Sequence, residues 1–200
     1  MERVIVSVMS RFPIGRVVFF ATGNVHKFSE ACLVLSEFKI AVAMLKVKMV
    51  EIQDNSIECI AVSSVLDAVK RCRLPLIVED AGLFVRVLNG FPGAFSSFVF
   101  QTIGTRGVLK LLRDAEDRSA YFHSVIAFCK PKEKPITFHG KVEGKIIDVE
   151  RGVAGFGFDP IFVPFKGDGR AFAEMETEEK NRFSHRAEAL RKFAKWYISQ

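Results

Sequence analysis

The chain has 200 residues, of which 49% are hydrophobic and 26% are charged, and its formal net charge is +6. This composition excludes a disordered chain, and the length suffices for one domain with a sizeable core or two closely joined lobes. The positive charge favours an anionic partner without separating a nucleotide from a nucleic acid or a membrane surface. No segment approaches the length of a membrane span, and four scattered cysteines without a C-x-x-C pair predict reduced thiols in the cytoplasm.

The first half of the chain alternates between the periods of strands and helices. Residues 1–15 are interpreted as an extension before a single domain over 16–200. The apolar run 16–21 predicts a buried strand, and helical spacing predicts a helix over 25–37. A β-rich run at 40–52 precedes a second helical pattern at 55–73.

The second half adds an antiparallel hairpin. Residues 74–85 predict a strand that enters an acidic turn, and 104–115 predict a helix. Alternation over 118–130 and 136–150 predicts two antiparallel strands, and the last segment is a helix capped by Ser184. Strands that alternate with helices, together with this hairpin, predict an α/β fold with a mixed sheet.

The segment Thr22-Gly23-Asn24 separates the first predicted strand from the first predicted helix. Small polar residues leave backbone N–H groups bare at a helix N-terminus, which favours an anion, and Lys27 adds a positive charge. The spacing of a P-loop is absent. From these residues alone, a phosphate-binding turn and an ordinary strand–turn–helix junction are equally good interpretations.

Two kinds of segment carry carboxylates or aromatic rings in predicted turns. Glu79 and Asp80 follow an apolar run, and Glu51 ends another, so their oxygens could hold Mg²⁺; a solvated acidic turn explains them as well. The Gly-rich loops 89–98 and 155–160 carry phenylalanines that suit stacking on a base, although core packing is the commoner role of Phe.

The segment EKNRFSHRAEAL, residues 179–190, has an unusual charge pattern. Ser184 is a good N-cap, which places His185 and Arg186 in the first turn of the last helix. Cations there oppose the helix dipole, which suggests that they face an anionic or electron-rich ligand. Lys180, four residues before the cap, is expected to face the same space.

Several segments resemble, in kind and in order, the Ham1-like family of inosine/xanthosine triphosphate pyrophosphatases. They are TGNVHK, EIQ, VEDAGL, LNGFPGAFSS, TIGTRGVLKLL, GFGFDPIF, FAEM and EEKNRFSHRAEAL, and the resemblance runs from residue 17 to about 197. It implies an elongated fold of two lobes around a long mixed sheet, with the nucleotide in a cleft between them, and a homodimer. It also implies Mg²⁺-dependent hydrolysis of ITP, dITP or XTP to the monophosphate and pyrophosphate, which clears deaminated purines from the nucleotide pool.

The resemblance further implies roles for residues at matching positions. Glu51 and Asp80 would hold Mg²⁺, and Asp80 would orient or deprotonate the attacking water, with Glu79 as its neighbour. The triphosphate would be gripped by Thr22, Gly23, Asn24, Lys27 and Lys180. The rest of the substrate site, where aromatic rings flank the base and polar groups read its edge, would comprise Ala81, Phe156, Gly157, Phe158, Asp159, Ser184, His185 and Arg186.

The chain departs from the family pattern at a few positions. Ala81 stands where Ser is usual, Ser63 or Ser64 where Lys is frequent, and Phe95 and Phe158 where Tyr is usual. Stacking survives the loss of a Tyr hydroxyl, whereas a hydrogen bond from that hydroxyl does not. These departures bear on affinity and base selectivity more than on the type of reaction.

A basic RNA- or DNA-binding protein is the main alternative from another class, with loop phenylalanines stacking on bases. The positive charges of this chain are dispersed among acidic residues, however, and Glu51, Glu79 and Asp80 would repel a phosphate backbone. We therefore expect neither a nucleic-acid nor a membrane partner. A third interpretation, an inactive nucleotide-binding relative, is disfavoured by the presence of Asp80, Lys27 and Lys180.

Overall fold

The structure, a computed structural model, describes residues 16–50 and 52–200, so the expected extension 1–15 and Glu51 lie outside the described residues. The described residues form seven strands: β1 (Arg16–Ala21), β2 (Ile40–Leu45), β3 (Leu76–Val85), β4 (Pro92–Gly93), β5 (Ser119–Cys129), β6 (Ile136–Ile146) and β7 (Phe162–Pro164). They also form six α-helices: α1 (Val25–Ser36), α2 (Ile57–Cys72), α3 (Ser96–Thr102), α4 (Gly104–Leu111), α5 (Thr177–Lys180) and α6 (His185–Ile198). Short 3-10 helices occur at Arg86–Leu88, Asp159–Ile161 and Phe172–Glu174. None of these helices is long and apolar enough to cross a membrane.

The strands form one mixed sheet with the order β2-β1-β3-β5-β6-β7, and β4 pairs with the end of β3. β2, β1 and β3 run parallel to one another, whereas β3, β5, β6 and β7 are joined by antiparallel pairing. A parallel half with helical crossovers and an antiparallel half built from a hairpin therefore meet at β3. The predicted α/β class with a mixed sheet is confirmed.

β3 positions the site because both halves of the sheet use it. Its first residues pair with β1, its last residues pair with β4, and ten residue pairs join it to β5. The sequence predicted an acidic turn at Glu79 and Asp80, and this was wrong. Both lie inside the strand, which continues to Val85 because β5 provides an uninterrupted antiparallel partner.

Three hydrophobic clusters divide the molecule into two lobes. In the first lobe, α1 and α6 cover one face of the sheet around Phe193, and α2 covers the opposite face around Val65. The second lobe forms around Phe162, where the far ends of β3, β5 and β6 pack with α4 and the Phe172–Glu174 turn. The elongated sheet passes through both lobes, as the expected fold requires.

Local signals explain where most elements begin, and tertiary contacts explain the exceptions. Asn24, Ser56 and Ser184 cap α1, α2 and α6 through their side chains. The β-rich run 40–52 is a strand only to Leu45, because β1, its partner in the described part of the chain, ends at Ala21. Two further differences are the helix pattern 104–115, which ends at Leu111, and the strand pattern 136–150, which ends at Ile146.

Helix α3 was not predicted, since its first three residues fall in the Gly- and Pro-rich segment 89–98. The Ser96 hydroxyl fixes its start by donating to the backbone oxygen of Gly93 over 2.7 Å and accepting from the backbone N–H of Leu83 over 2.8 Å. Gly82 permits this packing, since a Cβ there would lie 2.2 Å from the Gly93 oxygen. A non-local contact therefore converts part of the loop into a helix.

Candidate active site

A cavity of about 800 Å³ opens between the two lobes. Its walls are the turn after β1, the middle of β3, the start of α3, the loop before Asp159 and the start of α6. The sequence-predicted site residues that line it are Thr22, Gly23, Asn24, Lys27, Glu79, Asp80, Ala81, Phe156, Gly157, Phe158, Asp159, Lys180, His185 and Arg186. Thr22 and Arg186, 164 residues apart in sequence, thus converge on one cleft of a size that suits a small-molecule ligand.

The turn between β1 and α1 presents its backbone to this cavity. The Asn24 side chain accepts hydrogen bonds from the backbone N–H groups of His26 and Lys27, over 2.9 and 3.1 Å, and thereby caps α1. Thr22 braces the turn by accepting from the Asn24 N–H over 3.1 Å. A Cβ on Gly23 would meet no atom within 4 Å, so the turn faces open space at a helix N-terminus that favours an anion.

Glu79 is a buried carboxylate with both oxygens engaged. Its Oε2 forms an ion pair with the Lys27 ammonium at 2.8 Å, and its Oε1 accepts from Arg186 Nε at 3.0 Å and from the Ser124 hydroxyl at 2.6 Å. Burial alone would raise the pKa of Glu79, but the charges of Arg186 and Lys27 and the hydrogen bonds from Lys27 and Ser124 outweigh it and lower the pKa to about 2. Glu79 is therefore ionised and serves as an anchor for two cations.

Glu30, which the sequence did not predict, plays the corresponding part on the other side of Arg186. Its Oε2 accepts from Arg186 Nη1 over 2.6 Å, and its Oε1 accepts from Lys180 Nζ over 2.9 Å. Lys180 in turn donates to Asp159 Oδ2 over 2.6 Å. Lys180 is thus paired with two carboxylates, and it is buried at the cavity wall.

Six side chains of alternating sign therefore form one connected series, which we call the charge chain. In order, its members are Lys27, Glu79, Arg186, Glu30, Lys180 and Asp159. Three cations and three carboxylates cancel, and every member except Lys27 is at least 94% buried. Charges this deeply buried persist only when they are paired, so removing one member leaves its partners uncompensated.

Asp159 organises the loop of residues 155–160, which we call the aromatic loop. Its Oδ2 accepts from the backbone N–H of Phe156 over 2.9 Å, while Gly155 and Gly157 adopt positive φ angles of 72° and 64° on either side. The loop therefore turns tightly around this carboxylate, in a conformation that favours glycine. A side chain at Gly155 would collide with Asp159, whereas a Cβ on Gly157 would meet no atom within 4 Å.

The two aromatic rings of this loop differ in exposure. Phe156 is half-buried and stacks on His26 of α1, with ring centroids 5.2 Å apart and an interplanar angle of 16°. Phe158 is buried and meets Phe100 of α3 edge-on. Phe156 thus bridges the aromatic loop and the helix that follows the β1 turn, whereas Phe158 is partly a core residue.

The first turn of α6 places a neutral imidazole beside the Arg186 guanidinium. The Ser184 hydroxyl is fully buried and accepts from the Ala187 N–H over 3.2 Å, so it acts as a cap and does not line the cavity. His185 stacks on Phe122 with ring centroids 4.7 Å apart. Burial and the charges of Arg186 and other cations hold the pKa of His185 well below its usual value, which keeps the ring neutral.

Asp80 and Ala81 follow Glu79 along β3 and line the cavity. Asp80 is half-buried, and a carboxylate there is the kind of oxygen donor that Mg²⁺ prefers. Over residues 16–50 and 52–200, no group of three His, Cys, Asp or Glu residues is placed to hold a metal ion, and the second expected ligand, Glu51, lies outside that part of the chain. The positions that depart from the family pattern also meet the cavity, since Ser64 and Phe95 line it.

Three residues of this neighbourhood escaped the sequence analysis. Glu30 carried a weak signal, because it follows Lys27 by one helical turn and lies among apolar core positions of α1. Ser124 carried none, since a serine within an apolar strand has no distinctive pattern. His26 stood in the motif TGNVHK, but its contact with Phe156 depends on two segments 130 residues apart.

Comparisons with known proteins agree with this architecture. A model of the Ham1 family matches residues 18–196. The chain is 46% identical to a dITP/XTP pyrophosphatase of Methanopyrus kandleri over 180 residues, which are 90% of this chain and 95% of the relative. It is 48% identical to a dITP/XTP pyrophosphatase of Hyperthermus butylicus over 182 residues, which are 91% of this chain and 95% of the relative.

Solved structures give the same result. A HAM1 protein from Coxiella burnetii superposes with a TM-score of 0.82 at 31% identity, covering 93% of this chain and 100% of that chain. The Ham1 protein of Staphylococcus aureus superposes with a TM-score of 0.79 at 26% identity, covering 92% of this chain and 99% of that chain. Fold, cleft residues and sequence therefore agree, and this chain belongs to the Ham1 family.

Proposed function

We propose that this protein hydrolyses deaminated purine nucleoside triphosphates, namely dITP, ITP and XTP, to the monophosphate and pyrophosphate. The observation that carries the proposal is the convergence on one cleft of the turn before α1, the Asp80 carboxylate of β3, the Phe156 ring and the Arg186 guanidinium. Relatives 46% and 48% identical to the chain bear the name dITP/XTP pyrophosphatase, which supports this substrate class. Clearance of damaged purines from the nucleotide pool would follow as the cellular role.

The triphosphate would bind at the turn between β1 and α1. Gly23 leaves room for a phosphate to approach the backbone, and the positive end of the α1 helix dipole attracts its charge. Lys27 is the one member of the charge chain with substantial exposure, at 19% of its side chain, so it can reach phosphate oxygens while Arg186 still compensates Glu79.

Asp80 is proposed to orient or deprotonate the water that attacks the α-phosphorus. Glu79, its neighbour, is less suited to this task because both of its oxygens already bind cations or hydroxyl groups. As the new P–O bond forms, the bond to the pyrophosphate oxygen breaks, and the departing charge lies beside Lys27 and the α1 N-terminus. A general base in this position typically contributes a factor of about 10² to 10⁴.

Asp80 would also hold Mg²⁺, together with Glu51 and oxygens of the substrate phosphates. Carboxylate oxygens are the donors that Mg²⁺ selects, and the ion commonly uses only one or two of them alongside phosphates and water, so this donor set fits. When bound, Mg²⁺ would neutralise charge on the phosphoryl oxygens and on the leaving group.

The base would lie against Phe156, with its edge towards the start of α6. A 6-oxo group accepts hydrogen bonds from N–H donors of the Arg186 guanidinium or the backbone. Adenine carries a 6-amino donor at the same position, which would leave a buried protein donor unpaired at a cost of a few kcal/mol. His185, held neutral, can adapt to the remaining edge as donor or acceptor.

We further propose that the protein acts as a cytoplasmic homodimer. The free cysteines of the described chain suit a reducing compartment, which supports the cytoplasmic location. Phe98 of α3 exposes 66% of its surface beside the cleft mouth, which offers an apolar surface for a second subunit. The homodimer otherwise rests on the family resemblance. A small-molecule substrate, with neither nucleic acid nor membrane as a partner, completes the assignment, and residues 16–200 are proposed to act as one domain.

A product assay tests the proposed function. The protein would be incubated with dITP, ITP, XTP, GTP and ATP, with and without Mg²⁺, while pyrophosphate and orthophosphate are measured separately. We expect pyrophosphate, released chiefly from dITP, ITP and XTP and only with the metal. Orthophosphate release would place the attack at a terminal phosphate, and absence of turnover would reject the enzyme and lead to a salt titration against RNA.

A further inference from the structure

Glu30 lies at the centre of the charge chain and does not line the cavity. One of its oxygens accepts from Arg186 at 2.6 Å and the other from Lys180 at 2.9 Å, so both anchor a residue of the candidate site from behind. The carboxylate is 4% exposed and is too deeply placed to contact a nucleotide in the cleft.

We propose that Glu30 is a positioning residue for base selection. It fixes the side chains that contact the base relative to the phosphate grip, by which we mean Lys27 and the turn Thr22-Gly23-Asn24. This inference rests on the proposed function, since it names a further determinant of the same site. Glu30 would act through Arg186, which faces the base, and through Lys180, which holds Asp159 and with it the aromatic loop.

Helix α1 supplies the fixed distance that this role requires. Lys27 and Glu30 are three residues apart, a rise of about 4.5 Å, and both project towards members of the charge chain. The phosphate grip and the anchor of Arg186 therefore belong to one rigid element. The distance between a base bound at Arg186 and a triphosphate bound at the start of α1 is therefore fixed. The guanidinium cannot shift to accept a base whose hydrogen-bonding edge lies in a different position.

Removing the Glu30 charge would free this arrangement. Arg186 and Lys180 would then face each other with one carboxylate fewer between them, and like charges in a buried site repel. Arg186 would keep its bond to Glu79, which leaves it one anchor in place of two. The guanidinium would gain freedom to tilt, and a site that discriminates by one well-placed donor would lose discrimination before it loses phosphate binding.

The test compares Glu30→Gln with Glu37→Gln. Glu37 follows α1 and pairs with Arg191 of α6, so the control removes the same charge from a pair that joins the same structural region. For each variant, kcat and KM would be measured for ITP and ATP, together with inhibition by tripolyphosphate and thermal unfolding. Tripolyphosphate probes the phosphate grip without a base.

For Glu30→Gln we expect kcat/KM for ITP to fall about 10- to 100-fold, the range for losing one hydrogen bond to a charged group. The ratio of kcat/KM for ITP to that for ATP should fall at least fivefold, while the tripolyphosphate inhibition constant changes less than threefold. Glu37→Gln should leave both within twofold of the wild type. An unchanged ITP:ATP ratio in folded Glu30→Gln, or an equal loss with both bases and tripolyphosphate, would overturn the proposal.

Two further measurements keep the outcome decisive. If Glu30→Gln does not fold, Glu30→Asp keeps the charge but withdraws it by one methylene, and it too should reduce the ITP:ATP ratio; a wild-type ratio would overturn the proposal. If the wild type releases no pyrophosphate, the proposed function fails independently. The Glu30 role is then judged by calorimetric binding of ITP and ATP without turnover, where equal preferences in wild type and variant would reject it.

Discussion

Two glutamate–arginine pairs join α1 and the residue that follows it to α6, one inside the molecule and one at its surface. Glu30 and Arg186 are each at least 96% buried and belong to the charge chain, whereas Glu37 and Arg191 keep 45% and 28% of their side chains exposed. The donor–acceptor distances are nearly equal, at 2.6 and 2.7 Å. The two pairs therefore differ in burial and not in donor–acceptor distance.

The difference shows what buried charge does in this fold. An exposed pair is screened by water and contributes little to stability, while a buried pair has lost its hydration and depends on every partner. The charge chain fixes each member in a single arrangement, and its members line or support the cleft. The exposed pair merely links two surfaces. A glutamate–arginine pair thus fixes the geometry of the cleft where it is buried and contributes little to stability where it is exposed.

The largest expected effect concerns Asp80, which lies next to the charge chain but is assigned a different task. Asp80→Asn should lower kcat for ITP by about 100- to 10,000-fold, because it removes a base and a metal ligand with little change of volume. Asp54→Asn, which alters another carboxylate of the cavity wall, is the control and should stay within threefold. Steady-state kinetics decides the matter, and more than a tenth of wild-type kcat in Asp80→Asn would remove Asp80 from the chemistry.

Glu79→Gln is expected to affect stability most. The substitution leaves Lys27 and Arg186 without a carboxylate they share, and breaking a buried pair typically costs about 3–5 kcal/mol of unfolding free energy. Ser124→Ala removes only a hydroxyl donor from Glu79 and should cost about 1–2 kcal/mol. Urea unfolding measures both. An unfolding free energy of Glu79→Gln within 1 kcal/mol of the wild-type value would show that the buried pairs of Glu79 do not stabilise the fold as proposed.

The pH dependence of stability should reveal the contribution of the Glu30 charge. Burial alone would raise the pKa of Glu30, but the charges of Arg186 and Lys180 and their hydrogen bonds outweigh it, so the pKa lies below its usual value. The stabilisation is therefore present above the unfolded-state pKa of about 4.3 and is lost as pH falls through the folded-state value. The difference in unfolding free energy between wild type and Glu30→Gln should shrink below pH 4.5; a constant difference from pH 6 to 3 would refute this.

The smallest expected effect sharpens the comparison from its other side. Glu37→Gln should change the unfolding free energy by no more than about 1 kcal/mol, and added salt should diminish even that, because the pair is exposed. Thermal unfolding at low and high ionic strength is the measurement. A loss as large as that of Glu79→Gln would mean that the two regions do not differ in the way proposed.

Much of the fold followed from the sequence because its signals are local. The helical spacing in α1, α2 and α6 and the alternation in β5 and β6 were each read correctly, with errors of a few residues at the ends. The misreadings arose where a partner strand decided the outcome. β3 continued through two acids because β5 paired with it, and β2 ended early because β1 did.

The site was predictable in membership but not in arrangement. Its motifs named most residues that line the cavity, yet the sequence did not reveal that Lys180 pairs with Asp159 or that Arg186 lies between two glutamates. Arg186 and Glu30 are 156 residues apart, and no local pattern records a contact at that separation. Burial determines how much such a pair contributes to stability, and burial is set by the packing of the two lobes, which no local sequence pattern records.

Hydrolysis of ITP in water enriched in oxygen-18 tests the central claim most directly, with both products analysed by mass spectrometry. Attack on the α-phosphorus predicts one heavy oxygen in the inosine monophosphate and none in the pyrophosphate. Heavy oxygen in pyrophosphate, or in released orthophosphate, would place the attack on another phosphorus. The arrangement of Asp80 and Lys27 around the α-phosphate described above would then be wrong.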